Sequence, residues 1–149
     1  ADVNGVKNLN QDGRIYIAGT PSPDGLDELK SRGVKTVIDL RRPEELSGEE
    51  AEAARQRGIT YFHLPMQSDQ VTEEQAARFM KIMRENENEP VLLHCAGGSR
   101  AGAMYGLYLG ASGQCPLDEA IKRAKAAGLR NEKLEKDVEQ ALLSTTQKD

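Results

Sequence analysis

Short apolar runs alternate with amphipathic helical segments along most of this chain. Each run is short enough for a buried strand, and the segments between the runs carry apolar residues at helical spacing. The runs lie at residues 34–40, 59–64 and 90–94. This alternation predicts a three-layer α/β fold, in which a central, mainly parallel sheet has helices on both faces. The length of 149 residues suits one domain, which we expect to span residues 1–149.

Helix-capping signals mark the segments between the runs. A Ser or Thr followed three residues later by Glu or Gln can form a capping box, in which each side chain bonds the other residue's backbone N–H. This pattern occurs at Ser47 and Glu50 and again at Thr72 and Gln75, so we predict that a helix begins at each box. Other start and stop signals predict helices from Pro23 to Gly33, from Arg100 to Leu109, from Pro116 to near Gly128 and from Asn131 to Leu143.

The stretch from His94 to Gly102 has a composition suited to an anion site. Cys95 follows the strand at 90–94 and a helix is predicted from Arg100, so the loop between them delivers backbone N–H groups to a helix N-terminus. Small side chains let this backbone curl with its amides inward around an oxyanion, and Arg100 can close the ring with a planar, two-pronged donor. The predicted anion-binding residues are Ala96, Gly97, Gly98, Ser99 and Arg100. The same positive environment favours the thiolate form of Cys95, which is the candidate nucleophile.

This loop resembles the phosphate-binding loop of the cysteine-dependent protein tyrosine and dual-specificity phosphatases. The pattern of those families is His-Cys, five residues, then Arg and Ser or Thr. Here four residues separate Cys95 from Arg100, and Ala101 stands where the hydroxyl residue would be. Residues 14–22 resemble the first strand and turn of a small bacterial dual-specificity phosphatase, and the order of elements is similar from about residue 12 to about residue 143. The resemblance implies a dual-specificity-phosphatase-like fold and hydrolysis of phosphate monoesters through a cysteinyl-phosphate intermediate.

The two departures from the family pattern concern the chemistry of the loop. A loop that is one residue shorter presents fewer amides to a tetrahedral phosphate. The missing hydroxyl is the group that, in those families, helps the thiolate to leave when the phospho-enzyme is hydrolysed. Ser99, on the other side of Arg100, is the candidate to replace it. We expect these departures to weaken turnover.

The resemblance also implies roles for individual residues. Cys95 would attack phosphorus, Arg100 and the loop amides would stabilise the equatorial oxygens, and an Asp on an upstream loop would protonate the leaving oxygen. Asp69 is the candidate for this acid, because it follows the strand at 59–64 and should lie at the same sheet edge as Cys95. The alternative interpretation is an ordinary turn Asp near a helix N-terminus.

Three further residues are expected to support the loop or its surroundings. The His94 side chain should point into the protein and hold the loop by a hydrogen bond rather than act as a base. Asp39 and Arg41 lie near the carboxyl end of the strand at 34–40, where either could line the pocket or pair with the other. His63 is expected to be a structural histidine.

Other functions remain open on the sequence alone. A loop of four residues between a Cys and a cation is also similar to that of rhodanese-type sulfurtransferases, in which Cys95 would carry a persulfide, and residues 37–45 are similar to a rhodanese strand. The short loop and Ala101 are compatible with a non-catalytic oxyanion-binding module. Cys95 could also be a buried packing residue, although its coincidence with paired glycines and an arginine argues against this.

Composition limits the partners and cofactors. The net charge of −4 and the mixed charges give no basis for binding nucleic acid or an anionic membrane, and no apolar stretch approaches the roughly 20 residues that span a bilayer. With two histidines and no metal-binding spacing, we predict no metal and no cofactor. The expected partner is a phosphorylated protein or a small phosphoester, and no particular oligomeric state is predicted. We expect a soluble protein; because the sequence begins with Ala1 and not Met, export to a compartment such as the periplasm is favoured over a cytoplasmic location.

Overall fold

The structure is a computed structural model that describes residues 5–147. The described residues form one five-stranded sheet and six α-helices. The strands are β1 (Asn10–Asp12), β2 (Ile15–Ala18), β3 (Thr36–Asp39), β4 (Thr60–His63) and β5 (Val91–His94). The helices are α1 (Pro23–Ser31), α2 (Glu49–Gln56), α3 (Glu73–Glu85), α4 (Ser99–Ala111), α5 (Leu117–Ala126) and α6 (Glu132–Gln147).

The sheet is mainly parallel, as predicted. Its strand order is β1-β2-β5-β3-β4, and among these described strands only β1 is antiparallel to its neighbour. Strand β5 is central, because Leu93 is in register with Ile17 of β2 on one side and with Ile38 of β3 on the other. Parallel neighbours end at the same edge of a sheet, so the loop after β5 emerges beside the carboxyl ends of β2 and β3.

Helices cover both faces of the sheet. Successive residues of a strand point to opposite faces. On one face Val37 and Leu92 pack with buried residues of α1 and α2. On the other face Ile38 and Leu93 pack with buried residues of α3, α4, α5 and α6. This arrangement confirms the predicted three-layer α/β fold.

Two predicted helix starts are present in the structure. The hydroxyl of Ser22 accepts a hydrogen bond from the backbone N–H of Gly25 at 3.1 Å, which caps α1. Thr72 and Gln75 form the predicted capping box at the start of α3. These local signals therefore fix where the chain enters helices on opposite faces of the sheet.

The predicted capping box of Ser47 and Glu50 is wrong. Helix α2 follows Gly48, which has no side chain to cap it, and the Ser47 hydroxyl accepts the N–H of Glu49 at 3.3 Å and not that of Glu50. Glu50 instead turns inward and bonds His94 and Arg41. A buried cation that lacks a carboxylate partner costs more free energy than one uncapped helix end in contact with water, so the interior contact prevails.

Strand β1 was not expected from the sequence patterns. Its three residues, Asn10–Asp12, are polar and half-buried or exposed, so they lack the apolar signal of a buried strand. Asp12 pairs with Ile15, so Gly13 and Arg14 form the two-residue turn, and Gly13, with a φ of +60°, takes the first turn position that favours glycine. This turn signal could have identified the hairpin.

No helix within residues 5–147 is long and apolar enough to cross a membrane. Residues 1–4 and 148–149 lie outside the described residues. The domain span of 1–149 and the export of the protein therefore stay predictions.

Candidate active site

The predicted anion loop joins β5 to α4 at the carboxyl edge of the sheet. Cys95 follows directly after β5 and is only 1 % exposed. Its Sγ accepts a hydrogen bond from the backbone N–H of Gly98 at 3.0 Å. Gly98 has a φ of +110°, a conformation that residues with a side chain rarely adopt, and α4 begins at the next residue. The glycine thus turns the chain tightly enough for a loop amide to stabilise the sulfur.

The carbonyl groups of the loop point away from the anion site. Each carbonyl from Cys95 to Gly98 accepts a hydrogen bond from a donor on another segment or from the first turn of α4. The donor–acceptor pairs are Thr20 Oγ1 to Cys95 O (3.1 Å), Thr20 N to Ala96 O (3.2 Å), Asn8 Nδ2 to Gly97 O (2.8 Å) and Gly102 N to Gly98 O (2.9 Å). Because the N–H and C=O of a peptide unit point in opposite directions, this bonding aims the loop amides toward the anion site.

Several loop amides remain available for a ligand. Within residues 5–147, the backbone N–H groups of Ala96, Gly97 and Ser99 have no hydrogen-bond acceptor in the protein. Asn8, which fixes the Gly97 carbonyl, has a φ of +51°, uncommon for a residue other than glycine. The N-terminal segment therefore shapes the loop, and sequence reasoning missed this contribution.

Glu45 holds the Arg100 guanidinium in place. Arg100 Nη1 donates to Glu45 Oε1 at 2.8 Å and to the carbonyl of Met66 at 3.2 Å, and Nη2 donates to Glu45 Oε2 at 2.9 Å. These hydrogen bonds from Arg100 lower the pKa of Glu45 to about 2, so the carboxylate is charged at neutral pH. The same bonds raise the pKa of Arg100, with a further contribution from nearby Cys95. The remaining N–H donors of Arg100 are free to bind an anion.

Glu45 was not among the residues predicted from the sequence. It ends a short 3-10 helix, Pro43–Glu45, that follows β3, and its Oε1 also accepts a hydrogen bond from the backbone N–H of Arg42 at 2.7 Å. The available signal was a Pro-Glu-Glu turn directly after a strand whose carboxyl end lies beside that of β5. Such a turn places a carboxylate at the edge where the loop arginine lies.

A pocket of about 330 Å³ opens over Cys95. The anion loop contributes Cys95, Gly97, Ser99 and Arg100 to its lining, and other segments contribute Ser68, Arg130 and Asn131. Arg130 and Asn131 lie in the turn between α5 and α6, and sequence reasoning missed both. The backbone N–H of Arg130 donates to Ser99 Oγ at 3.0 Å, so this turn is bonded directly to the anion loop.

Asp69 lies on an exposed loop and does not line the pocket. Its carboxylate is 3.8 Å from the Lys133 ammonium group, which also donates to the Asp69 carbonyl at 3.2 Å. The neighbouring residue Ser68 is the part of this loop that lines the pocket. The general-acid role of Asp69 therefore stays a prediction.

Asp39, Arg41, Glu50 and His94 form a group of paired charges that we call the buried network. Arg41 Nη2 lies 2.9 Å from Asp39 Oδ2 and 3.0 Å from Glu50 Oε1, and His94 Nε2 lies 2.5 Å from Glu50 Oε2. Asp39 and Arg41 thus pair with each other and do not line the pocket. His94 Nδ1 is 3.3 Å from the Cys95 carbonyl, which connects the network to the anion loop.

Two neighbouring side chains extend the buried network. Tyr61 donates to Asp39 Oδ2 at 2.5 Å, and His63 Nε2 lies 2.6 Å from the Arg41 carbonyl. Burial opposes the charged form of Asp39, but hydrogen bonds from Arg41 and Tyr61 and the charge of His94 hold its pKa below the usual range. Burial and the Asp39 carboxylate raise the pKa of Tyr61.

One combination of metal-ligating residue types occurs in the described part of the chain. Ligand atoms of Asp39, Glu50 and His94 lie within 4.8 Å of one another. The Arg41 guanidinium, however, bonds both carboxylates, and His94 bonds Glu50 directly. These contacts suit an ion-pair network better than a metal centre, because a cation already bridges the two acids.

Comparisons with known proteins agree with this geometry. A family model described as "DSP-PTPase phosphatase fused to NAD+ Kinase" matches residues 2–143. The Beta-lactamase hydrolase-like protein of Xylella fastidiosa (strain Temecula1 / ATCC 700964) is 32% identical over 120 residues, which cover 77% of this chain and 28% of the relative. The Inositol diphosphatase DSP4 of Arabidopsis thaliana is 29% identical over 101 residues, 64% of this chain and 50% of that protein.

A solved structure shows the same fold. The DUF442 protein of Shewanella putrefaciens CN-32 has a TM-score of 0.80 at 23% identity, with 94% of this chain and 93% of that chain covered. The present chain spans only about 28% of the length of the Xylella relative. The comparisons support the predicted phosphatase family and not the sulfurtransferase alternative. This chain belongs to the family of dual-specificity-type protein tyrosine phosphatases whose model covers residues 2–143.

Proposed function

We propose that this chain hydrolyses phosphate monoesters, in a phosphoprotein or a small phosphorylated substrate, through a cysteinyl-phosphate intermediate. The observation that carries the proposal is the construction of the anion loop. Its carbonyls are hydrogen-bonded to donors outside the pocket, one of its amides bonds the buried sulfur while three others have no acceptor within residues 5–147, and Glu45 holds Arg100. Such a site binds the equatorial oxygens of a phosphoryl group while a nucleophile attacks the phosphorus.

In the first step the Cys95 thiolate attacks phosphorus. A P–S bond forms and the P–O bond to the leaving group breaks. The hydrogen bond from the Gly98 amide stabilises the thiolate before attack. Negative charge on the equatorial oxygens is stabilised by the amides of Ala96 and Gly97 and by the N–H donors of Arg100 that Glu45 does not occupy.

In the second step water attacks phosphorus, a P–O bond forms and the P–S bond breaks, which releases inorganic phosphate and restores the thiolate. The carboxylate that gave its proton to the leaving group in the first step takes the proton of the water. Ala101 has no hydroxyl that could stabilise this thiolate. We assign that part to Ser99, which lines the pocket and whose oxygen accepts the Arg130 N–H. Since the oxygen is the acceptor in that bond, the Ser99 O–H proton remains available for donation into the pocket.

We assign protonation of the leaving oxygen to Asp69. In support, Ser68 on the same exposed loop lines the pocket, and only a weak pairing with Lys133 holds the Asp69 carboxylate. An Asp69→Asn variant should lose about 100-fold in kcat on phenyl phosphate, whose leaving group needs a proton, and much less on p-nitrophenyl phosphate. An equal loss on both substrates would assign the acid to another group, and Lys133→Gln serves as the control for disruption of the loop.

The central test is hydrolysis of p-nitrophenyl phosphate by the reduced protein. We expect phosphate release that is abolished by Cys95→Ser and reduced at least about 100-fold by Arg100→Ala. Sulfur transfer from thiosulfate to cyanide is measured on the same preparation. Sulfur transfer without phosphate release would identify a sulfurtransferase, and silence in both assays with retained binding of inorganic phosphate would identify a non-catalytic oxyanion-binding module.

A further inference from the structure

The peptide unit between Gly97 and Gly98 makes one hydrogen bond to the nucleophile and one to the N-terminal segment. Its N–H, from Gly98, donates to Cys95 Sγ at 3.0 Å. Its carbonyl, from Gly97, accepts a hydrogen bond from Asn8 Nδ2 at 2.8 Å. A trans peptide unit is planar, and its N–H and C=O point in opposite directions. The bond from Asn8 and the bond to the sulfur therefore hold the same plane from opposite sides.

This peptide unit depends on Asn8 more than the rest of the loop does. Within residues 5–147, Asn8 is the only donor to its carbonyl. The carbonyls of Cys95 and Ala96 are both held by Thr20, one through its hydroxyl and one through its backbone N–H. The unit also has a glycine on each side, and glycine has the widest range of backbone rotation. Without Asn8, the bond to the sulfur alone would orient it.

Asn8 is itself held in place by its neighbours. The carbonyl of Lys7 accepts the N–H of Gly19 at 2.8 Å, which joins the segment to the residue that follows β2. The carbonyl of Asn8 accepts a hydrogen bond from Asn10 Nδ2 at 3.4 Å. The φ of Asn8, +51°, lies in the left-handed region, which Asn adopts more readily than most residues with a side chain. The segment thus presents a short side chain with an N–H donor to the anion loop.

We propose that Asn8 is a positioning residue of the active site, which keeps the Gly98 amide directed at the Cys95 sulfur and so stabilises the thiolate. If the peptide unit rotated, a carbonyl oxygen would approach the sulfur, and its partial negative charge would oppose the thiolate. The thiolate is the reactive form of a cysteine, so Asn8 controls how much of Cys95 can react near neutral pH. The effect on phosphate release rests on the proposed function, whereas the effect on the reactivity of Cys95 does not.

The test measures the rate at which iodoacetamide alkylates Cys95 as a function of pH, because the thiolate is the nucleophile. Mass spectrometry of the peptide that contains Cys95 separates its reaction from that of Cys115, the other free cysteine. Asn8→Gly removes the donor, tolerates the left-handed backbone and adds no charge. We expect the midpoint of its rate profile to lie about one pH unit above that of the parent, which is about tenfold less thiolate below the midpoint.

A second variant keeps the shape of the side chain. Asn8→Asp retains the tolerance of the left-handed backbone but replaces the amide donor with a carboxylate, which only accepts hydrogen bonds. It should move the midpoint at least as far, because the carboxylate repels both the Gly97 carbonyl and the thiolate. Asn8→Gly, by contrast, leaves the charged groups near Cys95 in place, among them Arg100 on α4, Glu45 on the 3-10 helix and His94 on β5.

Gln11→Ala is the matched control. Gln11 lies in the same N-terminal segment and also donates from its side-chain amide to a carbonyl, but this carbonyl belongs to Gly13, at 3.1 Å, and not to the anion loop. Its alkylation profile should coincide with that of the parent. The proposal is wrong if Asn8→Gly leaves the midpoint unchanged. A loop that is merely looser would give this result, with a faster limiting rate at high pH because the sulfur is more exposed.

Hydrolysis of p-nitrophenyl phosphate by the same variants separates this inference from the proposed function. In an active phosphatase, Asn8→Gly should lower kcat/KM about tenfold below the midpoint of the parent and by less above the midpoint of the variant. A shifted alkylation midpoint in a protein that releases no phosphate would support the positioning role and refute the phosphatase function. An unchanged midpoint in a protein that releases phosphate would refute the positioning role alone.

Discussion

Two groups of polar atoms at the carboxyl edge of the sheet are organised in opposite ways. In the buried network, Arg41 and His94 face the carboxylates of Asp39 and Glu50, and each charge has a partner. Both ring nitrogens of His94 lie beside protein oxygens, Nε2 beside the Glu50 carboxylate and Nδ1 beside the Cys95 carbonyl. At the pocket, by contrast, the backbone N–H groups of Ala96, Gly97 and Ser99 have no acceptor within residues 5–147.

Whether a polar group is paired determines whether it can bind a ligand. A buried charge that is fully paired cannot bind a ligand without breaking its pair, so the buried network holds the ends of β3 and β5 and the start of α2 together. A donor that faces a pocket can remain unpaired because water solvates it until a ligand replaces the water. The same edge of the sheet therefore combines a rigid support with an open binding surface.

Breaking the buried network should have the largest effect on stability. Glu50→Ala removes the carboxylate that bonds both Arg41 and His94. Arg41 would then keep Asp39 as its carboxylate partner and His94 Nε2 would lose the carboxylate that it contacts at 2.5 Å, so we expect a loss of about 3–5 kcal/mol in the free energy of unfolding. Urea unfolding at neutral pH, followed by far-ultraviolet circular dichroism, measures this loss.

Glu52→Ala is the matched control for this prediction. Glu52 is on the same helix, is exposed and pairs only with Arg55 and Gln56 one turn away. Its removal should change the free energy of unfolding very little. Equal losses for Glu50→Ala and Glu52→Ala would mean that the buried pairs contribute no more than exposed ones.

The anion loop joins the two groups, and its two glycines should respond differently to substitution. Gly98→Ala forces a side chain into a φ of +110°, at an expected cost of about 1–3 kcal/mol in the free energy of unfolding. A Cβ atom on Gly97 would have no atom of the described residues within 4 Å, and the φ of Gly97 is outside the left-handed region. Gly97→Ala should therefore cause no loss in the free energy of unfolding. Urea unfolding of both variants checks this order, and equal stability would show that the turn at Gly98 relaxes without strain.

The sequence predicts features whose signals are local. The alternation of apolar runs and helical segments predicted the three layers. The pair Thr72 and Gln75 predicted the start of α3, because these two residues interact within one helical turn. The small-residue loop predicted the junction of β5 and α4 for the same reason. Where a local signal competed with a buried contact, as at Glu50, the contact prevailed and the local prediction was wrong.

Contacts between distant segments could not be predicted in this way. Arg100 is 55 residues from Glu45, and Asn8 is 89 residues from Gly97. Each of these side chains is of an ordinary surface type, and only the strand order brings it to the anion loop. Arg130, whose backbone bonds Ser99, also contacts the anion loop from a distant segment, and no pattern in its own segment distinguishes it from the other exposed arginines.

The smallest expected effect concerns the pair that lies between the two groups, Glu45 and Arg100. Arg100 lowers the pKa of Glu45 from 4.5 to about 2, so the pair stabilises the folded state fully above about pH 4.5 and loses this contribution as the pH falls to about 2. We therefore expect the difference in free energy of unfolding between the parent and Glu45→Gln to be constant from neutral pH to about pH 5. It should then shrink toward zero near pH 2. The lowered pKa of Asp39 acts in the same acid range, but it is present in both proteins and cancels in the difference. Urea unfolding of the two proteins across this range measures the difference directly. If it did not change with pH, Glu45 would hold Arg100 through the shape of the contact and not through its charge.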